Sequence, residues 1–210
     1  MSSRVGTRFA GRLAVGLMLA AGPAVAIEPS SPPTELVKSL DGSLLDVMQN
    51  ARTLGFKGRF AKLEPIVRRT FNVPLMTQVA VGSGWSELTA DQQQQLTEAF
   101  TRFITATYAE RFDGWSGEKF VETGEKPLGS GTLVETQILR TDDEPVALNY
   151  VTRQSGGNWQ VVDVFLTGTI SELATRRSEF SAVFRRAGFD GLLQSLHDKV
   201  AEIERQAQVG

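Results

Sequence analysis

Lys119-Phe-Val-Glu-Thr123, Thr132-Leu-Val-Glu-Thr-Gln-Ile-Leu-Arg140, Val146-Ala-Leu-Asn-Tyr-Val-Thr-Arg-Gln154 and Trp159-Gln-Val-Val-Asp-Val-Phe-Leu-Thr167 are four segments rich in β-branched and aromatic residues. They follow one another with turn signals between them, the pattern of consecutive strands. Asp142-Asp-Glu-Pro145 and Ser155-Gly-Gly-Asn158 read as hairpin turns, because paired glycines accept the positive φ that tight hairpins need. The stretch therefore predicts an antiparallel meander of about four strands. Period-two spacing places Val146, Leu148 and Tyr150 on one side of the third strand, and Val162, Val164 and Leu166 on one side of the fourth.

Helical patterns flank the meander on both sides. Leu36, Val37, Leu40, Leu44, Leu45, Met48 and Ala51 recur every three or four residues, with Thr34 as the expected N-cap. A short helix follows through Leu63, Ile66 and Val67, with Pro65 near its start, and Asn72 is placed to cap another at Val73-Pro-Leu-Met76. Thr89-Ala-Asp-Gln92 is a capping box, and Leu96, Phe100, Phe103, Ile104, Thr107, Tyr108 and Phe112 then share one helical face. After the strands, Leu173, Phe180, Val183 and Phe184 mark a helix ending at Gly188, and Asp190 caps a last one carrying Leu192, Leu193, Leu196, Val200 and Ile203. Helices, a meander and helices again give an α+β order rather than βαβ. The expectation is one domain over residues 35–206, with helices on one face of a curved sheet.

The first residues have a different character. Arg4, Arg8 and Arg12 precede the apolar run Leu13-Ala-Val-Gly-Leu-Met-Leu-Ala-Ala21, and Pro23 then precedes Ala24-Val25-Ala26. That order is a secretory signal peptide over residues 1–26, cleaved after Ala26. Residues 27–34, with Glu28-Pro-Ser-Ser-Pro-Pro33, read as a disordered leader. The 210-residue chain has 22 basic and 24 acidic side chains, hence a net charge of −2, and cleavage leaves 19 basic against 24 acidic, about −5. Such a balance gathers no polyanion, so nucleic acid is not an expected partner.

Composition also removes most catalytic chemistries. With no cysteine and His197 as the single histidine, thiolate nucleophiles, disulfides and multi-histidine metal sites are excluded. No Gly-x-Ser-x-Gly elbow and no phosphate-binding loop occurs. Asp142-Asp143-Glu144 lacks the ligand spacing of a calcium loop and reads as a solvated turn. No cofactor or metal is expected. Asp163, between Val162 and Val164, has two readings: an outward-facing acid on a half-buried strand, or a buried general base. The aromatic stripe and the apolar strand positions likewise fit either a filled core or a lined cavity, because periodicity describes both.

Phe71-Asn-Val-Pro-Leu-Met76, Thr89-Ala-Asp-Gln-Gln-Gln-Gln-Leu-Thr-Glu-Ala-Phe100, Trp159-Gln-Val-Val-Asp-Val164, Arg177-Ser-Glu-Phe180 and Gly188-Phe-Asp-Gly191 resemble, in order and spacing, the MlaC or toluene-tolerance family of periplasmic lipid carriers. Tyr108-Ala-Glu-Arg-Phe-Asp-Gly-Trp-Ser-Gly117 and Gly168-Thr-Ile-Ser-Glu-Leu-Ala-Thr-Arg-Arg-Ser-Glu-Phe180 look most like its hopanoid-associated branch, HpnM, although Trp115 stands where that branch usually has tyrosine. The resemblance implies a fold like nuclear transport factor 2 or cystatin, a curved antiparallel sheet wrapped by helices around an apolar pocket. It implies a shuttle, not an enzyme, carrying a phospholipid or hopanoid between inner and outer membranes. Its expected partners are an ABC-type inner-membrane transporter with its substrate-binding domain, and an outer-membrane complex. The pocket residues it implies are Phe100, Phe103, Ile104, Tyr108, Phe112, Trp115, Val134, Leu148, Tyr150, Val162, Val164, Leu166, Phe180 and Phe184, with Arg176 and Arg177 toward the lipid head group. The alternative is an isomerase or hydratase of the same fold acting on a polycyclic lipid, with Asp163 as base.

Overall fold

The structure is a computed structural model that describes residues 32–141 and 143–207. The signal-peptide assignment and most of the leader lie outside the described residues. Helix α1 spans Pro33–Gln49, with Pro33 in the first turn, where its missing N–H costs nothing. The helix thus starts ahead of Thr34, which lies inside it and hydrogen-bonds through its hydroxyl to Glu125 instead of capping. Helix α2, Ala51–Thr70, is broken near its start by Gly55 at φ 57°, a backbone conformation glycine adopts without strain. Pro65 lies well inside α2 rather than near its start. Helix α3 runs Val73–Val81, and Asn72 caps it by accepting a hydrogen bond from the Leu75 N–H at 3.1 Å. A 3₁₀ segment, Gly82–Glu87, leads to helix α4, Ala90–Arg111, whose capping box is complete: Gln92 N–H donates to the Thr89 hydroxyl and Thr89 N–H to the Gln92 side chain.

The sheet is antiparallel throughout, in the order β1 (Lys119–Leu128), β2 (Gly131–Leu139), β3 (Val146–Ser155), β4 (Asn158–Leu166) and β5 (Ile170–Ser171). Gly156 and Gly157, at φ 58° and 84°, make the two-residue turn between β3 and β4. The two-residue β5 was not anticipated; Gly168 at φ 80° turns the chain back onto Leu166. Helix α5, Glu172–Gln206, is interrupted at Gly188, φ 65°, so the two expected C-terminal helices are two arms of one broken helix. Among the described residues, no helix is long and apolar enough to cross a membrane.

Two bulges bend the sheet. In β1, Glu122 faces Thr136 and Gly124 faces Glu135, leaving Thr123 unmatched. In β4, Asp163 faces Val151 and Val161 faces Thr152, leaving Val162 unmatched. An extra residue bends its strand and increases the local twist, which curves the sheet around what lies on its concave side. The second bulge also corrects the sequence reading. Period two assigns Val162 to the side of Val164 and Leu166, but the inserted residue reverses the alternation. Val161 and Val164 belong to the main core, whereas Val162 packs with Leu133 and Val151, beside Leu75 and Phe165, in a small second cluster.

The main core joins α1, α2, α4 and α5 to the sheet. Phe71 ties the helices to β4: it bridges to Val161, and the Asn72 N–H donates to the Val161 carbonyl at 2.9 Å. Two runs of aromatic contacts lie in this core. Phe71, Tyr108, Phe112 and Phe120 touch in sequence, with centroids 5.6 to 6.2 Å apart. Phe100, Phe103 and Phe180 form the second, with the Phe180 ring edge-on to the other two.

Candidate functional site

Between α4, the start of α5, the end of β2, the start of β3 and the end of β4, the two packed layers do not meet. The space left is a cavity of about 250 Å³. Phe100, Phe103, Ile104, Thr107 and Tyr108 form its wall on α4, a continuous face because helical residues three and four apart are neighbours, and Phe112, at the helix C-cap, extends it. Ile138, Val146, Leu148, Val164 and Leu166 form the sheet wall, and Phe71, Met76 and Leu173 complete the apolar lining. Thr107 adds little polarity, since its hydroxyl donates to the Phe103 carbonyl at 2.9 Å.

The charged groups lining the cavity are Arg111, Glu172 and Arg176. Glu172 is the first residue of α5, where a carboxylate is favoured by the helix dipole. One of its oxygens lies 3.1 Å from an Arg176 nitrogen and the other 3.7 Å from an Arg111 nitrogen. Arg176 also reaches Glu179 at 3.3 Å, and its guanidinium lies 5.0 Å from the centroid of the Phe103 ring. The site thus pairs a deep apolar interior with a short ionic array.

The family model for MlaC proteins matches residues 38–198. The chain belongs to the MlaC family. It is 22% identical over 186 residues to the intermembrane phospholipid transport system binding protein MlaC of Haemophilus influenzae, covering 84% of this chain and 86% of that one. Its fold matches that of a phospholipid-binding protein from Ralstonia solanacearum, solved in complex with a phospholipid, with a TM-score of 0.73 and 23% identity. That match covers 83% of this chain and 99% of the other.

In this MlaC-family chain, the residues singled out from sequence separate into two groups. Phe100, Phe103, Ile104, Tyr108, Phe112, Leu148, Val164, Leu166 and Arg176 come together around the cavity. The others do not line it. Val134 and Tyr150 are fully buried core residues, and Val162 lies in the second cluster. Phe180 stands behind Phe100 and Phe103 as packing, not wall. Phe184 covers Gly84, so closely that a Cβ there would lie 2.1 Å from its ring. Trp115 is 49% exposed, its indole N–H donating to the Glu118 carbonyl at 3.1 Å. Arg177 borders a separate polar groove with Ser181 and Arg185. Adjacent residues on a helix point about 100° apart, so Arg176 and Arg177 cannot serve one site equally.

Asp163 is occupied structurally. Its carboxylate accepts hydrogen bonds from the Val164 and Leu173 N–H groups at 2.7 and 3.0 Å and from the Ser171 hydroxyl at 2.6 Å. Ser171 in turn accepts from the Ala174 N–H at 2.9 Å. Asp163 therefore fastens the start of α5 to β4 and does not line the cavity.

The sequence reading missed the buried acid. Asp41, on α1, is 5% exposed, and the Tyr150 hydroxyl donates to it at 3.1 Å. Loss of hydration pushes its carboxyl up to about 7; the Tyr150 hydrogen bond opposes this, and the nearby Glu122 charge adds to it. Burial likewise raises the Tyr108 and Tyr150 phenols. Arg59 was missed too: buried, it donates to the carbonyls of Ala109 at 2.8 Å and Ala51 at 3.2 Å, joining the end of α4 to α2. An acid or arginine at a core-facing helical position is the signal that could have found both.

Proposed function

We propose that this protein is a periplasmic lipid carrier that holds the acyl part of a phospholipid in the cavity between α4 and the sheet. The observation that supports this most directly is the cavity itself, apolar on both walls and charged at one place, in a chain of the MlaC family. The named relatives point the same way: one belongs to an intermembrane phospholipid transport system, and the other was solved with a phospholipid. Each acyl CH₂ moved out of water is worth about 0.8 kcal/mol, so a two-tailed lipid does not cross an aqueous gap unaided. Moving the same tail from a bilayer into an apolar cavity changes its free energy far less. Such a carrier retains lipid in water and exchanges it when docked at a membrane or a membrane partner.

At about 250 Å³ the cavity sits just below the range of about 300–1,000 Å³ usual for small-molecule sites. Seating two full tails therefore requires α4 and α5 to move apart from the sheet. Export through residues 1–26, delivery to or from an ABC-type transporter with its substrate-binding domain, and an outer-membrane complex are parts of the same proposal. Likeness to the hopanoid-associated branch suggests a polycyclic lipid as a further cargo, with the Phe103, Tyr108 and Phe112 rings as the surface a flat ligand would meet.

The test is lipid transfer from phosphatidylcholine vesicles doped with pyrene-labelled phosphatidylglycerol, with a hopanoid added as competitor. Labelled lipid is expected in the protein fraction after the vesicles are removed. No transfer of the label would overturn the proposal, and failure of the hopanoid to compete would remove that cargo.

A further inference from the structure

We infer that the Glu172 carboxylate competes with a lipid phosphodiester for the place between Arg111 and Arg176. The inference rests on the carrier reading and adds to it a head-group site with a built-in competitor. Both arginines line the cavity and both lie near the same carboxylate, at 3.7 and 3.1 Å, with one oxygen toward each. A carboxylate and a phosphodiester each present two anionic oxygens to guanidinium donors, so the cradle that suits one suits the other. The Arg176 and Glu172 side chains are only 20% and 23% exposed, which limits how far water weakens the pairing.

Arg176 is held in place independently of Glu172. Glu179 lies 3.3 Å from its other terminal nitrogen, and Lys199 anchors Glu179 at 2.5 Å. The Phe103 ring lies beneath the guanidinium. When a phosphate arrives, Glu172 is repelled and leaves while the arginines stay. The same carboxylate returns when the lipid leaves, so Glu172 offsets part of the head-group attraction and keeps release possible. A carrier needs that balance, because a head group bound without competition would be slow to hand on.

The experiment compares uptake by the full-length mature chain of phosphatidylglycerol and of diacylglycerol with the same acyl chains, each from phosphatidylcholine vesicles. Arg111→Gln and Arg176→Gln are each expected to weaken phosphatidylglycerol binding about tenfold, the loss of one charge-assisted contact, and to weaken binding of diacylglycerol, which has no phosphate, by much less. Glu172→Gln should strengthen phosphatidylglycerol binding several-fold and slow its transfer to acceptor vesicles. Diacylglycerol uptake that persists in each variant shows that the cavity is retained. Inorganic phosphate alone should protect the protein against thermal unfolding only at concentrations at least a hundredfold higher than the phospholipid. Equal effects of the three variants on both lipids, or phosphate binding as tightly as phospholipid, would overturn the head-group assignment. If the unmodified protein takes up neither lipid, the carrier reading itself fails.

Discussion

Filling the cavity should make the protein more stable and less useful. A cavity of about 250 Å³ leaves the side chains that line it with fewer packing partners than a solid core would give them. Ile104→Phe adds volume from the α4 wall and Val164→Phe from the sheet wall. Together they are expected to recover about 2 kcal/mol, the usual scale of cavity-filling substitutions. For a chain of this size that is a rise in Tm of about 4–8 °C, read by calorimetry or circular dichroism. Uptake of pyrene-labelled phospholipid from vesicles should fall to background, because the tails and the new rings compete for one volume. Two results would refute the reasoning. If Tm falls by the amount typical of overpacking, the space is not there to be filled. If Tm rises while lipid uptake survives, the lipid binds elsewhere.

Other perturbations probe the surrounding scaffold. Asp41 takes up its proton in the folded state near pH 7 but in the unfolded chain near 3.8, so between these values the folded state binds the extra proton and stability falls as pH rises. At about 1.4 kcal/mol per unit, the loss is about 4 kcal/mol, complete above pH 7. Asp41→Asn should abolish this slope and exceed the unmodified protein in stability at pH 8; parallel denaturation profiles at pH 5 and 8 would contradict it. Asp163→Asn should lower stability by about 1–2 kcal/mol through weaker anchoring of the α5 N-terminus, with phospholipid transfer within about twofold of normal in the vesicle assay. Gly84→Ala places a Cβ against Phe184 and should cost about 1–3 kcal/mol, largely restored by Phe184→Leu; additive losses in chemical denaturation would show that the contact is not the cause.

Much of this molecule is written locally in its sequence. The capping box at Thr89, the Asn72 cap, the paired glycines after Ser155 and the α4 stripe each depend on residues within a turn or two, and local chemistry decides them. The fold class follows from their order. The bulge at Val162 is different: nothing in Val161-Val-Asp-Val164 announces an extra residue, and a rule of strict alternation carried Val162 to the wrong side. The site is legible to the same degree. The α4 wall could be read from helical period, but Tyr150 and Val134 share the sheet face of Leu148 and differ only in whether a helix packs directly upon them. That is a property of where the layers meet. Asp41 and Tyr150 are 109 positions apart, and Arg111 and Glu172 belong to different helices, so neither pairing has a sequence period to reveal it.

The central claim is that the space between α4 and the sheet holds lipid. It is tested most directly by purifying the protein from its own host, without detergent, and analysing the denatured material by mass spectrometry. The account predicts close to one phospholipid per chain, lost in the Ile104→Phe, Val164→Phe protein. A lipid-free preparation that also takes up no lipid from vesicles would contradict it.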